Sequence, residues 1–415
     1  MNLLVTKLDN GLRFASKQIN SRVAYCSISI NSGTKNENPK YNGIAHFTEH
    51  MIFKGTSNRS AFAINSTLEK LGGELNAYTT KEETVIHATV LKEDLPKGVE
   101  ILLDLAFNAL FPESEVVKER EIILDEIGSY KDTPSELIFD DFEFHLFKDH
   151  PLSMPILGSK KTIDKIDTGK LFEFYKEFYT TDQMSLTVFS NYDPNWVLKM
   201  VQDKIKRVQN IRLSSGIKVN KTKDLSIGVE QYDRKLITCN KHTHQSHILV
   251  GTRGYSVYDE KRYSLSLLSN ILGGPAQNSR LNLLLREKHG IAYNVETSYT
   301  PFKEIGVFNI YFGTDKKNIE RALELIEKEQ MLIINKKMST LKLNEAKRQL
   351  IGQITIAADN MEVQCLNAGK SLLIYDEIIT IQDVIEKIKN IEPDEFYSIA
   401  SEVLNPNNQL ILIYK

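Results

Sequence analysis

Few cysteines, no long apolar run and almost no net charge characterise this sequence of 415 residues. Its three cysteines, Cys26, Cys239 and Cys365, are too widely spaced for a disulfide framework or a CxxC metal site, and they favour a reducing compartment. No stretch reaches the ~18 uncharged apolar residues of a membrane span, and Asp9 comes too early for a signal peptide. We therefore expect a cytoplasmic protein without a membrane span.

Charge and composition exclude several classes of protein. The 52 basic and 54 acidic side chains give a net charge of -2, which provides no overall attraction to nucleic acid or anionic lipid. Hydrophobic residues make up 41% and charged residues 26%, as in ordinary globular proteins and unlike disordered chains. The length indicates two or three domains, and no nucleic-acid partner is expected.

An internal repeat sets the domain organisation. Residues 162–189 align without a gap with residues 387–414, and each segment reads as a helix, a turn and an alternating strand. Two weaker pairs of similar segments lie upstream and occur in the same order in both halves, 26–31 with 247–252 and 81–90 with 303–312. Generic α/β patterning explains any single pair, but their common order favours a duplication.

The repeat predicts an N-terminal domain over 1–208, a polar linker over 209–228 and a C-terminal domain of similar fold over 229–415. The strands alternate instead of forming continuous apolar runs. This pattern predicts an α+β fold in which each domain is a mainly antiparallel sheet covered by helices. The turn residues at 9–11 predict an N-terminal hairpin.

The sharpest motif is HxxEH within residues 43–56. On a helix, His46 and His50 lie one turn apart on the same face, where two imidazoles can bind a single ion. Glu49 lies near that face without having to be a ligand. HxxEH is the inverse of HExxH, and both patterns are typical of zinc peptidases. The alternative is an ordinary helix that carries two histidines on one face.

A catalytic zinc ion takes three protein ligands and leaves one position open, so a third ligand is required. Glu119 and Glu126 are two turns apart on a predicted helix over 113–132 and share a face beside an apolar stripe. A charged helix surface is the alternative, because further acidic residues surround both glutamates.

Taken together, the HFTEH helix, the downstream glutamates and the duplicated halves resemble the insulinase/pitrilysin family of inverted-motif zinc peptidases. The short branch that includes mitochondrial processing peptidase and its bacterial relatives is the most similar, and the resemblance covers essentially the whole chain. It implies one Zn²⁺ per chain bound by His46, His50 and Glu126, with Glu49 as the catalytic base. It also implies that Glu119 supports the site as a catalytic residue without binding the ion.

Two further segments resemble substrate-binding parts of that family. In 71–84, Asn76, Ala77, Tyr78 and Thr79 match a strand edge that aligns the peptide, with the first three as its substrate-binding residues. An exposed edge can pair with an extended chain through backbone bonds. The alternative is an ordinary turn and strand.

In the second half, Arg286 and Tyr293 match a pair that reaches toward substrate near the metal. A tyrosine can hydrogen-bond a developing oxyanion and an arginine can hold a peptide carbonyl. The alternatives are a surface ion pair of Arg286 with Glu287 and a core position for Tyr293.

The resemblance implies a zinc metalloendopeptidase that hydrolyses peptides or unfolded segments inside a dimeric chamber. A homodimer is the simpler prediction, because the zinc motif and the Arg/Tyr pair occur in one chain. A heterodimer with a degenerate paralogue is the alternative. Two other functions stay open: a non-catalytic peptide-binding scaffold of the same fold, and a zinc hydrolase of small molecules.

His242, His244 and His247 form a second histidine cluster. On a strand, the first two would share a face, but no carboxylate or cysteine nearby completes a metal site. The segment leads into a repeated strand, so a polar strand edge is the preferred interpretation. His87 alternates with Ile86, Ala88 and Val90, so a core or sheet-face position is expected rather than a metal ligand.

Overall fold

The computed structural model describes residues 3–208, 210–213, 233–241 and 243–415. The linker predicted over 209–228 therefore lies outside the described residues except for 210–213, and His242 lies outside them as well. Within the described residues, every helix is too short or too polar to cross a membrane.

The first half contains six strands among its described residues: β1 (Leu3–Lys7), β2 (Arg13–Gln18), β3 (Val23–Ile30), β4 (Glu74–Thr79), β5 (Thr84–Leu91) and β6 (Met184–Ser190). Its helices are α1 (Ile44–Ile52), α2 (Ala61–Glu69), α3 (Leu95–Asn108), α4 (Glu113–Lys131), α5 (Pro134–Leu146), α6 (Lys160–Ile163), α7 (Thr168–Phe178) and α8 (Pro194–Ile205).

The second half has five strands in its described part: β7 (Lys235–Cys239), β8 (Ser246–Gly254), β9 (Ala292–Pro301), β10 (Gly306–Thr314) and β11 (Leu410–Tyr414). Its helices are α9 (Lys261–Gly273), α10 (Ile319–Asn335), α11 (Thr340–Ala357), α12 (Met361–Tyr375), α13 (Ile381–Lys389) and α14 (Pro393–Val403), with a π-helix at Asn282–Lys288.

The two sheets share one topology. The first has the strand order β1-β2-β6-β3-β5-β4 and the second has β7-β11-β8-β10-β9. In each sheet one pair is parallel, β2 with β6 and β7 with β11, and the other pairs are antiparallel. Within the described residues, the second sheet repeats the order of the five strands β2-β6-β3-β5-β4 of the first. The α+β class and the two similar, mainly antiparallel sheets predicted from the sequence are confirmed.

The repeated sequence segments occupy equivalent places. Residues 162–189 contain α7 and β6, and their counterparts at 387–414 contain α14 and β11. The weaker pairs fall on β3 with β8 and on β5 with β10, which are equivalent in strand order. The predicted hairpin forms between β1 and β2, where Gly11 adopts a φ of 91° and donates its N–H to the Leu8 carbonyl at 2.8 Å.

Contacts divide the chain into two compact units that interleave along the sequence. The first comprises the described residues of 1–129, 154–219 and 358–379, and the second comprises those of 130–153, 220–357 and 380–415. The contiguous division at 209–228 stays a prediction. The two compact units differ from the predicted contiguous domains because each unit contains a helix from the other half of the sequence.

Helix α12 belongs to the first unit through its packing on the sheet. The side chains of Ser185 and Thr187 on β6 donate hydrogen bonds to the carbonyls of Gly369 and Cys365, at 2.8 Å and 3.1 Å. Helix α5 belongs to the second unit in the same way, through buried Ile138, Phe142 and Leu146 that pack against β8, β10 and β11. Each of these helices therefore packs on the sheet formed by the other half of the sequence.

Candidate metal centre

Helix α1 carries the HxxEH motif, and Gly43 defines the position of its N-terminal end. It begins after Gly43, whose φ of 95° is a left-handed conformation that favours glycine. A Cβ at this position would lie 2.8 Å from the Leu157 carbonyl oxygen, so the close approach also requires glycine. Phe47 and Met51 are fully buried on one side of the helix, which directs the motif residues to the other side.

Glu37 caps the start of this helix. Its carboxylate accepts hydrogen bonds from the backbone N–H groups of Gly43 and Ala45, both at 2.8 Å, and from the side chain of Asn42 at 2.7 Å. These donors include amides of the first turn that have no partner within the helix. Burial raises the pKa of Glu37 to about 8, while the three donors and the charge of Lys81 act in the opposite direction.

Helix α4 brings Glu126 to the two histidines. One carboxylate oxygen of Glu126 lies 3.8 Å from His46 Nε2 and the other lies 3.7 Å from His50 Nε2. Ligand atoms of the three side chains all lie within 4.8 Å of one another. Such spacing suits one ion at about 2.0–2.2 Å from each atom, and two imidazoles with one carboxylate are a typical donor set for catalytic zinc.

The environment of His46 keeps its imidazole neutral. Burial, with a smaller contribution from neighbouring His50, lowers the pKa of His46 to about 3. The neutral ring is the form that binds a metal ion, so protons do not compete for it near pH 7. Its Nδ1 atom is buried and has no hydrogen-bond partner among the described residues, so packing alone orients this ring.

Glu119 orients the other histidine. It is buried, and its Oε1 atom lies 3.0 Å from His50 Nδ1, which leaves Nε2 of the ring directed toward Glu126. Its second oxygen lies 2.7 Å from the Lys54 ammonium. A carboxylate on the far nitrogen fixes the orientation and tautomer of a ligand imidazole. Glu119 thus lies behind His50 and outside the group of three ligand atoms.

Glu49 also stands apart from the ligand atoms. Its carboxylate accepts a hydrogen bond of 2.6 Å from the hydroxyl of Thr79 on β4. Burial raises the pKa of Glu49, and the charge of Glu126 acts in the same direction, whereas Thr79 and His50 lower it. A half-buried carboxylate next to a group that binds a cation is the arrangement expected of a general base.

Strand β4 carries the predicted substrate residues and lies at the edge of the first sheet. Ala77 and Thr79 are two residues apart on the strand and therefore face the same side of the sheet, where they pair with Ile86 and Thr84 of β5. Asn76 and Tyr78 point to the opposite side of the sheet from Thr79. The side chains of Leu75 and Ala77 therefore lie on the same face of β4 as Thr79, the face that carries the bond to Glu49.

Tyr78 and His87 form a cluster on that opposite side. Their rings meet edge to face with centroids 6.3 Å apart, and His87 Nδ1 lies 3.2 Å from Glu362 of α12. His87 thus occupies a sheet face, as the sequence predicted.

Arg286 and Tyr293 lie in the second unit. Arg286 is part of the π-helix and Tyr293 is the second residue of β9, and the guanidinium lies 5.9 Å from the centre of the tyrosine ring. Tyr293 is 84% exposed and is therefore not a core residue. Arg286 lies 3.7 Å from Glu287, the surface pair considered as its alternative. A π-helix is rare and often marks a functional position.

The second histidine cluster forms no metal site in the part of the chain that the structure describes. His247 Nδ1 lies 2.8 Å from the Tyr311 hydroxyl, and the two rings are stacked. Among the described residues, His46, His50 and Glu126 are the one group of three or more side chains with the spacing to hold a metal ion.

Sequence reasoning left three supporting residues without a role. Lys54 follows His50 by four residues, a helical spacing that gives a signal, although α1 ends at Ile52. Thr79 belongs to the matched edge segment, where only its neighbours were assigned a role. Glu37 gives no local signal, because its acidic side chain precedes the helix by a loop.

Two family models match consecutive parts of the chain. A family model described as insulinase (peptidase family M16) matches residues 13–160, and one described as peptidase M16 inactive domain matches 165–350. An uncharacterized zinc protease of Rickettsia bellii is 32% identical over 98% of both chains. The chain belongs to the M16 peptidase family. An uncharacterized zinc protease of Streptomyces coelicolor is 30% identical over 98% of this chain and 88% of its own.

Solved structures show the same fold. The peptidase M16 inactive domain from Pseudomonas fluorescens superposes with a TM-score of 0.86 at 18% identity, over 100% of this chain and 98% of its own. A protease from Helicobacter pylori gives the same TM-score over 100% of this chain and 99% of its own. The M16 segment 13–160 contains the three candidate ligands, Glu49 and Glu119.

Proposed function

We propose that this M16 protein is a zinc-dependent endopeptidase that binds one Zn²⁺ per chain through His46, His50 and Glu126. The observation that carries the proposal is the convergence of three ligand atoms within 4.8 Å, with Glu49 beside them but not among them. This division leaves one carboxylate to bind the ion and another to accept a proton. The relatives named as zinc proteases support zinc as the metal.

The proposed mechanism assigns the proton transfers to Glu49. When bound, the ion supplies Lewis acidity at the scissile carbonyl. Glu49 removes a proton from the attacking water and delivers it to the leaving nitrogen, so that the amide bond breaks and a carboxylate and an amine form. Glu119 contributes by holding His50 through the 3.0 Å contact at Nδ1.

An extended peptide is the proposed substrate. Because β4 is an edge strand, its backbone groups can pair with a peptide through hydrogen bonds that do not depend on sequence. Asn76, Ala77 and Tyr78 are the proposed substrate-binding residues of this strand. Ala77 offers the peptide a small side chain on the side of Glu49, while Asn76 and Tyr78 act through the backbone.

We further propose that the active form is a dimer with an enclosed chamber, in which Arg286 and Tyr293 serve the zinc site of the partner chain. The resemblance to the family and the complete set of residues within one chain support a homodimer, and a heterodimer with a degenerate paralogue is the alternative outcome.

The described cysteines are all free thiols, which supports the proposed cytoplasmic location.

The test is a Glu49→Gln variant compared with the native protein. Both should contain about one zinc per chain, and only the native protein should cleave a mixed peptide library, with a rate at least about 10²-fold above the variant. Bound zinc without cleavage by the native protein would favour the non-catalytic scaffold. Cleavage retained by the variant would contradict the role of Glu49 as the base.

A further inference from the structure

The hydroxyl of Thr79 lies between the edge strand and the proposed base. Thr79 is the last residue of β4, and its Oγ1 lies 2.6 Å from Glu49 Oε2. The same Oγ1 atom lies 3.4 Å from the hydroxyl of Thr84 on β5. Both contacts lie on the sheet face that packs toward α1.

The Thr79 hydroxyl can donate only one hydrogen bond, so its acceptor can be identified. A threonine hydroxyl has one proton to donate. Thr84 donates its own proton to the Ser32 carbonyl at 2.9 Å, so it has none for Thr79. The short 2.6 Å distance assigns the Thr79 proton to the carboxylate of Glu49, as expected for a hydrogen bond to a charged acceptor.

This bond fixes one oxygen of Glu49 and leaves the other available. Within the described part of the chain, Thr79 provides the one hydrogen bond to this carboxylate, and Oε1 receives none. A carboxylate held at Oε2 cannot rotate freely, so Oε1 keeps a defined direction. Small errors in the placement of a catalytic group reduce rates strongly, which makes such a constraint valuable.

We propose that Thr79 is a positioning residue that holds the Glu49 carboxylate in its reactive orientation. This inference rests on the proposed function, because it assigns Thr79 a role in the proton transfer of Glu49. Thr79 also ends the strand whose backbone is proposed to pair with the peptide. One strand therefore sets the position of both the substrate and the base.

Two substitutions separate the hydroxyl from the rest of the side chain. Thr79→Val keeps the branched shape and removes the donor, whereas Thr79→Ser keeps the donor. Thr89→Val is the matched control, because it removes a threonine hydroxyl that donates to another carboxylate, Glu362, at 2.9 Å. Thr89 lies on β5 and faces the opposite side of the same sheet.

The expected result is a loss of kcat with little change in KM. Thr79→Val should lower kcat about tenfold or more, with KM within about twofold of the native value. Thr79→Ser should recover most of the rate, and Thr89→Val should match the native protein. All variants should retain the zinc content and the melting temperature of the native protein.

A crystal structure of zinc-free Thr79→Val provides a readout that does not depend on activity. The Glu49 carboxylate should be displaced by about 1 Å or more, or occupy more than one rotamer, while the native side chain keeps its bond to Thr79. An unmoved Glu49 in this variant would overturn the inference.

The kinetic outcomes distinguish this inference from the proposed function. If the native protein cleaves peptides and Thr79→Val keeps its kcat, the positioning role fails while the proposed function stands. A rise in KM alone would overturn positioning and assign Thr79 to substrate binding. If the native protein itself cleaves nothing, the proposed function fails, and the crystal structures still decide whether Thr79 holds Glu49.

Discussion

At the scale of residues, Lys54 and Glu119 form a relay behind His50. The ammonium of Lys54 lies 2.7 Å from Glu119, and Glu119 lies 3.0 Å from His50 Nδ1. Glu119 is only 4% exposed, so its carboxylate depends on these two partners for polar contacts. The orientation of His50, a proposed zinc ligand, thus depends on a lysine that is not one of the proposed ligands.

Replacing Lys54 by methionine should therefore weaken zinc binding. Without the ammonium, the buried Glu119 loses its fixed position and no longer holds His50, and we expect the zinc Kd to rise about tenfold or more. Competition with a chromophoric chelator measures this change. Lys118→Met is the matched control, because Lys118 forms a comparable 2.7 Å pair with Glu115 on the exposed surface of α4. Equal affinities for both variants would contradict the relay.

Residue spacing predicted part of this site and not the rest. The four-residue step between His46 and His50 follows from the helical repeat, and the two-turn step from Glu119 to Glu126 places both on one face of α4. The contacts of Thr79 with Glu49 and of Lys54 with Glu119 were not predicted, because they depend on how β4 and the turn after α1 pack. Hydrogen-bond partners between separate elements leave no periodic signal.

At the scale of elements, the position of α1 depends on its first turn. Glu37 receives two backbone N–H groups there and one side-chain amide, all at 2.8 Å or less. Because these groups are buried, removal of the carboxylate leaves donors without partners. The cap therefore stabilises the helix that carries both histidines.

The Glu37→Ala variant should lose about 2–3 kcal/mol in the free energy of unfolding of the first unit. Trp196, the only tryptophan in the sequence, lies on α8 of this unit, so its fluorescence in urea reports this transition. Glu69→Ala is the control, because Glu69 lies at the exposed end of α2. A loss below about 0.5 kcal/mol in Glu37→Ala would show that the cap does not stabilise the unit.

Strand patterns determined the elements but not their assembly. The repeated segments predicted β3, β5 and β6 and their counterparts, because alternation along a strand is a local property. The exchange of α5 and α12 was not predicted. An amphipathic helix shows which of its faces is apolar but not which sheet covers that face.

At the scale of the whole molecule, the proposed dimer makes a quantitative prediction. A Glu49→Gln chain and a chain with Arg286→Ala and Tyr293→Phe should each be inactive. If Arg286 and Tyr293 act on the partner's site, random mixing should restore about a quarter of the native rate. Half of the dimers are then mixed, and each mixed dimer carries one complete site. Peptide cleavage after mixing of differently tagged chains measures this.

A mixture of Glu49→Gln with Glu126→Gln chains is the control for this experiment. Both substitutions disable the proposed zinc site of the chain that carries them. A mixed dimer therefore has one zinc site without Glu49 and one without Glu126, and activity should stay absent. If tagged mixed dimers are isolated but the first mixture remains inactive, Arg286 and Tyr293 do not act across the dimer.

The sequence by itself determined the fold class, the duplication and the metal-binding motif of this M16 protein, because periodicity and spacing are local properties of the chain. Spacing alone left Glu119 and Glu126 equivalent, and the tertiary structure places Glu126 beside both imidazoles, Glu119 behind His50 and the Thr79 hydroxyl beside Glu49. These outcomes depend on distances between elements far apart in sequence. Such distances are set by the packing of α1, α4 and β4 around a common core.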